Sequence, residues 1–373
     1  MRKNSKNPHN KKQSSEDHDA SDEEIFKNLG NRIKAHFEEI LQQPEFSEEE
    51  DENTGLLIIK SANSWIELAA NQPNPEMLFD EFWFEGELCI LFADTNLGKS
   101  ILAVQIGNSI SKGEAIEGFR LEAKKQMMLY FDFELSAKQF QNRYSIDYQN
   151  PYPFDDNFKR IELNPDAIIP DKMSFEEFLS KELEKSIIET NAKVLIVDNL
   201  TYLKIETEKA GGALPLMQHL KALKSKYDLS LLVLAHTPKR DVTKPISNND
   251  LLGSKTLISL TDSSFAIGES QRDKGLRYLK QIKVRYNEFT YDAENVAICQ
   301  IRKADNFLQF EWLDTGSERE HLKQVEEKDR DKRVMEILEL KKQGFSIIQI
   351  AQTTGLSESG VRKIIKKNNL LKE

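Results

Sequence analysis

Lys99 and Ser100, adjacent and preceded by Gly98, are residue types that together handle phosphate. They close the octamer Ala93, Asp94, Thr95, Asn96, Leu97, Gly98, Lys99, Ser100. An ammonium in that place carries a point charge to the β- and γ-phosphates, and the hydroxyl after it ligates Mg²⁺. The glycine lets the backbone turn so that successive N–H groups point inward at phosphate oxygens. Ala93 stands where a first glycine is commoner, but that position ends a strand and needs tight packing more than a positive φ. The spacing predicts a site for ATP with Mg²⁺, its cradle running from Ala93 to Ile101.

Three further groups complete that chemistry. Asp198 closes the apolar run Lys193–Val197 and can hold Mg²⁺ together with Ser100, directly or through a water. The plain alternative is an aspartate capping the following turn. Glu134 follows the apolar run Gln126–Phe133 and is the expected base or water-positioning group. Asp132, two residues back and so on the same face of a strand, is its competitor. A surface glutamate that merely starts a helix is the bland reading of Glu134. His236 and Thr237 follow the run Ser230–Ala235, where a polar pair can sense a γ-phosphate and pass that state to the next loop.

These groups need elements to position them. Glu87–Phe92 reads as a buried strand, and Ile101–Ile110 recurs at helical spacing, so the octamer joins strand to helix N-terminus. Helices are expected over Ser136–Tyr144, Ser174–Thr190 and Leu214–Tyr227, with strands over Lys193–Val197 and Ser230–Ala235. Asn150–Pro170, rich in Pro and Asp, reads as loop, and Leu257–Gly268, Gly275–Tyr286 and Asn295–Arg302 read as strands. Apolar strands alternating with amphipathic helices predict an α/β fold with a mostly parallel sheet covered on both faces. In such sheets ligands sit at the carboxyl ends of the strands, where Asp94, Glu134, Asp198 and His236 all fall.

The whole chain has 373 residues, enough for one large domain with an appendage or for two domains, and a net charge of −10. No apolar run approaches the length of a membrane span, and the polar opening lacks the apolar core of a signal peptide. Cys89 and Cys299 lie in apolar runs and suggest neither a disulfide framework nor a metal site. The expectation is a cytoplasmic protein.

The order ADTNLGKS, FDFELSAKQFQNR, VLIVDN, LAHT and then a Lys-x-Arg resembles the RecA-type ATPases of hexameric replicative helicases. The plasmid RepA-like group is nearest in pattern and the DnaB group next, over about Ala62 to Asp314. The resemblance implies a RecA-like P-loop core in a homo-oligomeric ring, a hexamer, with water activated by the glutamate after the second strand. It also implies a Lys and an Arg that reach the neighbouring subunit's nucleotide, and Lys283 and Arg285 in QIKVRYN match these, with Lys280 as the competing lysine and a solvated basic edge strand as the plain alternative. Two loops would face the central channel and touch single-stranded DNA. One is Lys204–Ala213, with Lys209; the other is Pro238–Lys255, with Lys239, Arg240, Lys244 and Lys255. Beyond Tyr202 neither offers an aromatic for stacking on bases, which points to phosphate contact.

The ends of the chain differ in character. Residues 1–55 are polar, switch from basic to acidic, and read as a largely disordered tail, with a possible helix over Ile25–Leu41. Residues 56–314 are the expected ATPase domain and 315–331 a charged linker. Residues 332–373 read as three helices resembling the helix-turn-helix of resolvases and many bacterial regulators. Ser357 or Ser359 caps the last helix. From Lys341 on, seven cations face only Glu358 and Glu373, an electrostatic footprint for duplex DNA. Ser357, Ser359, Arg362, Lys363 and Lys366 are the expected contacts. Together these features predict an ATP-hydrolysing motor acting on DNA, helicase-like or helicase-loading, in replication of a plasmid or mobile element. The competing expectation is an ATP-switched DNA-binding regulator that never translocates.

Overall fold

A computed structural model describes residues 57–199, 213–238, 240–251, 254–324 and 327–369. The expected tail helix Ile25–Leu41, Lys209 and most of the first channel loop, and Lys239 lie outside the described residues. The chain divides into two units at Pro73. In the first, the helix Ala62–Ala70 begins at Ser61, whose hydroxyl accepts the Ser64 N–H, and no residue of this helix is buried.

The second unit, Asn74–Glu373, is built on a nine-stranded sheet. A short ribbon, β1 (Met77–Phe79) and β2 (Trp83–Phe84), leads into β3 (Leu88–Ala93), whose six residues are all buried. β4 (Met128–Asp132) follows the helix Lys99–Lys112, and β5 (Ser145–Ile146) and β6 (Gln149–Pro151) form a small hairpin. Then come β7 (Phe158–Ile161), β8 (Val194–Asp198), β9 (Ser230–His236) and β10 (Ser263–Glu269). β11 (Leu276–Lys283), β12 (Val296–Ala304) and β13 (Phe307–Gly316) end the sheet.

In space the order is β13-β12-β11-β10-β3-β9-β8-β4-β7. The six strands from β10 to β7 are parallel, and β11, β12 and β13 add an antiparallel meander on the β10 side. β9 lies between β3 and β8. Side chains alternate across the sheet even within uniformly apolar runs. Cys89 and Leu91 point into one core with the helix Lys99–Lys112. Leu88, Ile90 and Phe92 point into the other, beneath the helices Phe175–Thr190 and Ala213–Tyr227. Each fully buried Leu, Ile or Phe contributes about 1.5–3 kcal/mol, so this two-sided core, not local propensity, fixes the strand ends that carry the site.

Three expectations are corrected. Asn150–Pro170 is not all loop, because Phe158–Ile161 pairs with Met128–Phe131 as the edge strand. Leu257–Gly268 is not one strand: the helix Ser254–Leu260 ends before β10 begins at Ser263. The meander gains a strand, β13, where no strand was expected, because its alternating pattern is half polar and its inward side chains, Phe307 and Phe310, join the core. Packed structure runs beyond 314, since Glu318 and His321 in the short helix Glu318–His321 are buried.

Past residue 326, the helices Glu327–Lys342, Ile347–Thr354 and Glu358–Asn369 pack around Ile337, Ile350, Ala351 and Val361. Ser346 and Gln349 form a reciprocal cap on the second helix, and Gly355 ends it in the left-handed conformation. Of the two candidate caps for the third, Ser357 accepts the Gly360 N–H at 3.2 Å. Glu358, Ser359, Arg362, Lys363, Lys366 and Lys367 share the exposed side of that helix.

Candidate active site

Gly98 begins the helix Lys99–Lys112 at φ 95°, a left-handed conformation that side chains resist. A Cβ there would also lie 2.7 Å from Ile301 Cδ1 and 2.9 Å from Phe310 Cε2. The meander therefore lies over the loop, and a side chain at this position would have to push Ile301 and Phe310 aside. Asn96 is also left-handed, at φ 64°.

Lys99 is 6% exposed. Its ammonium donates to Ala93 O at 3.0 Å, Asp94 O at 3.2 Å and His236 Nδ1 at 3.1 Å. Burial lowers its pKa, while Asp198, Glu134 and Asp94 oppose that shift. Lysine can only donate, so Nδ1 of His236 is the acceptor and the ring proton sits on Nε2. That N–H faces Glu134 Oε1 at 3.5 Å.

Glu134 and Asp132, the two competing carboxylates, differ sharply. Asp132 is wholly engaged: Oδ1 accepts the N–H groups of Glu134 at 3.2 Å and Leu135 at 2.9 Å, and Oδ2 accepts Arg160 Nε at 2.8 Å. It shapes the turn that presents its neighbour. The Glu134 side chain is 39% exposed and accepts from Asn199 Nδ2 through Oε1. The bond to His236 is the main cause of its lowered pKa, so it stays an acceptor at neutral pH. Of the two, Glu134 has the freedom to meet a water.

Asp198 is fully buried, and Oδ2 accepts the Tyr130 hydroxyl at 2.6 Å. Oδ1 is buried with no hydrogen-bond partner among the described residues. Burial pushes its pKa up to about 6, with Ser100 and Tyr130 holding it down. A bare carboxylate oxygen beside a hydroxyl is a hard-oxygen donor pair that fits Mg²⁺, whose remaining ligands are waters and phosphates. Mg²⁺ bound there would neutralise charge on the β- and γ-phosphates. No self-sufficient cluster of three or more metal-ligating side chains occurs among the described residues.

Thus Lys99, Ser100, Glu134, Asp198 and His236 converge at the carboxyl ends of β3, β4, β8 and β9. Thr237 joins them through its N–H to Ala93 O at 3.1 Å. Lys283 and Arg285 do not. They lie at the opposite end of the sheet, where Lys283 donates to Ile258 O at 2.6 Å and Arg285 pairs with Asp262 at 3.4 Å. Arg240 turns inward: its guanidinium donates to Lys244 O at 3.2 Å and meets the Tyr278 hydroxyl. Lys244 stays exposed beside Asp241.

Sequence reasoning missed two residues. Arg160 was hidden in a stretch read as loop. Asn199 was hidden by its neighbour, although an amide directly after a buried strand-end aspartate is a signal that could have been read; the peptide joining the two is cis.

Fold and loop together define an α/β core with a P-loop at the carboxyl end of a mostly parallel sheet. Residues 59–242 match the family model described as an AAA domain, a span that contains every convergent site residue. Among solved structures, a KaiC-like protein of the hyperthermophilic archaeon Pyrococcus horikoshii is similar over 61% of this chain and 91% of its own, at 12% identity and a TM-score of 0.42. No curated protein matches the chain by sequence. Among the described residues no helix is long and apolar enough to cross a membrane.

Proposed function

We propose that the chain is an ATP-hydrolysing motor acting on DNA, with a helicase-like or helicase-loading role in the replication of a plasmid or other mobile element. Hydrolysis rests on one observation: the half-exposed Glu134 carboxylate is held near Lys99, Ser100 and the bare oxygen of Asp198. Lys99 and the loop amides hold the triphosphate, Ser100 and Asp198 its Mg²⁺, and Glu134 the attacking water. Lys283 and Arg285 are too remote to serve their own chain's site, so their role is in a neighbouring copy, as a hexameric ring supplies it.

DNA contact rests on the exposed face of the last helix, where Arg362, Lys363, Lys366 and Lys367 stand together on an otherwise acidic protein. In this reading residues 332–373 are a helix-turn-helix that grips duplex, and the core loops, through Lys239 and Lys244, touch single strands. The second reading, a regulator switched by ATP without translocation, gains from Arg240, which is folded inward instead of standing free on a channel loop.

The two part in one assay. A motor hydrolyses ATP faster with single-stranded DNA and opens a tailed duplex; a regulator does neither, and ATP changes only its duplex affinity. Electron microscopy with ATP and single-stranded DNA shows rings for the first.

A further inference from the structure

We infer that Asn199 is the positioning residue for Glu134. This rests on the ATPase reading above. Asn199 is fully buried at the end of β8, while the Glu134 side chain it bonds is 39% exposed on a turn after β4. A carboxylate so placed swings into solvent unless a fixed donor holds it. Asn199 Nδ2 donates to Glu134 Oε1 and lies 3.1 Å from His236 Nε2, so two N–H groups converge on one carboxylate oxygen.

The two donors are not equivalent. His236 also accepts from Lys99, so its grip on Glu134 depends on what the ammonium is doing. Asn199 holds Glu134 from a buried strand end, and its amide carries no charge that a phosphate would compete for. A neutral amide suits the task, because its hydrogen bond orients the carboxylate without adding the full positive charge that a lysine or arginine would set beside it. Oε2 is left to face the water.

The test compares Asn199→Ala and the isosteric Asn199→Asp with the full-length chain, and repeats Asn199→Ala in a Glu134→Gln background. Asn199→Asp keeps the shape but sets an acceptor against Oε1. Both single variants are expected to lose about 10–100-fold in kcat. Mg-ATP affinity by calorimetry stays within about two-fold, because the donor serves a group that acts on water and not on the nucleotide. In the Glu134→Gln background Asn199→Ala adds nothing, since the group it positions has gone. Unchanged kcat in both single variants overturns the assignment. So does an undiminished loss in the double variant, or a kcat that falls only in step with affinity and melting temperature. A wild-type chain that binds Mg-ATP without hydrolysing it sinks the ATPase reading itself, which the wild-type control reports separately.

Discussion

Lys99 Nζ and His236 Nδ1 lie 3.1 Å apart although 137 residues separate them. The contact follows from strand pairing, since β3 and β9 run parallel with Ala93 opposite His236. With Ala93 O and Asp94 O as its other acceptors, the ammonium has a partner for each of its three protons. A triphosphate must displace one of them. Lys99→Ala is expected to abolish Mg-ATP binding by calorimetry. Glu134→Gln should bind ATP normally and lose about 10²–10⁴-fold in kcat. Substantial turnover in that variant would remove Glu134 from its role.

Asp132 and Arg160 form a pair whose carboxylate side chain is fully buried and whose guanidinium is 16% exposed. Removing one partner strands a buried charge and breaks the turn that presents Glu134. Arg160→Met should lower stability by about 3 kcal/mol in urea unfolding, whereas Glu134→Gln should leave the midpoint unchanged. Equal midpoints for both variants would refute the distinction between the two carboxylates.

Gly98 combines a left-handed φ with two side chains against its α-carbon. Gly98→Ala should destabilise by about 1–3 kcal/mol and weaken nucleotide binding. Adding Ile301→Ala frees the nearer contact and should recover part of the stability but not the backbone strain. If the second substitution brings no recovery, the close approach of the meander is not what constrains the loop.

His321 is buried beside Ser270, its Nδ1 2.9 Å from the hydroxyl, and Nε2 has no partner among the described residues. Burial lowers its pKa from the ordinary 6.5, with Arg272 adding to the shift and Glu318 and Glu320 opposing it. The unfolded chain therefore binds this proton more readily. The stability that neutral His321 contributes is complete above pH 6.5 and is lost as pH falls through the lower, folded value. The melting temperature should drop between pH 7.5 and 5.5, and drop less in His321→Gln. Parallel curves would exclude His321 as the cause.

The last helix offers a test by salt. If Arg362, Lys363 and Lys366 meet phosphates, replacing all three with alanine reduces the slope of log affinity against log salt by about 0.9 per lost contact on duplex DNA. ATP hydrolysis in the absence of DNA should be unaffected. An unchanged slope would assign that face to a protein partner.

The octamer ending in Ser100, the strand-end Asp198 and the cap at Ser346 were readable in the sequence because each depends on neighbours within a few residues. Backbone conformation, dipole and hydrogen-bond reach act over that range. The alternation of apolar runs and amphipathic helices likewise foretold a mostly parallel sheet. Strand order was not readable, and the site depends on it. Placing β9 between β3 and β8 brings His236 to Lys99 and Asn199 to Glu134, and placing β7 beside β4 gives Arg160 to Asp132. No local pattern encodes those pairings, because every central strand reads as the same uninterrupted apolar run. Only packing on both faces of the sheet decides which runs lie side by side, and hence which of two carboxylates stays free to meet water.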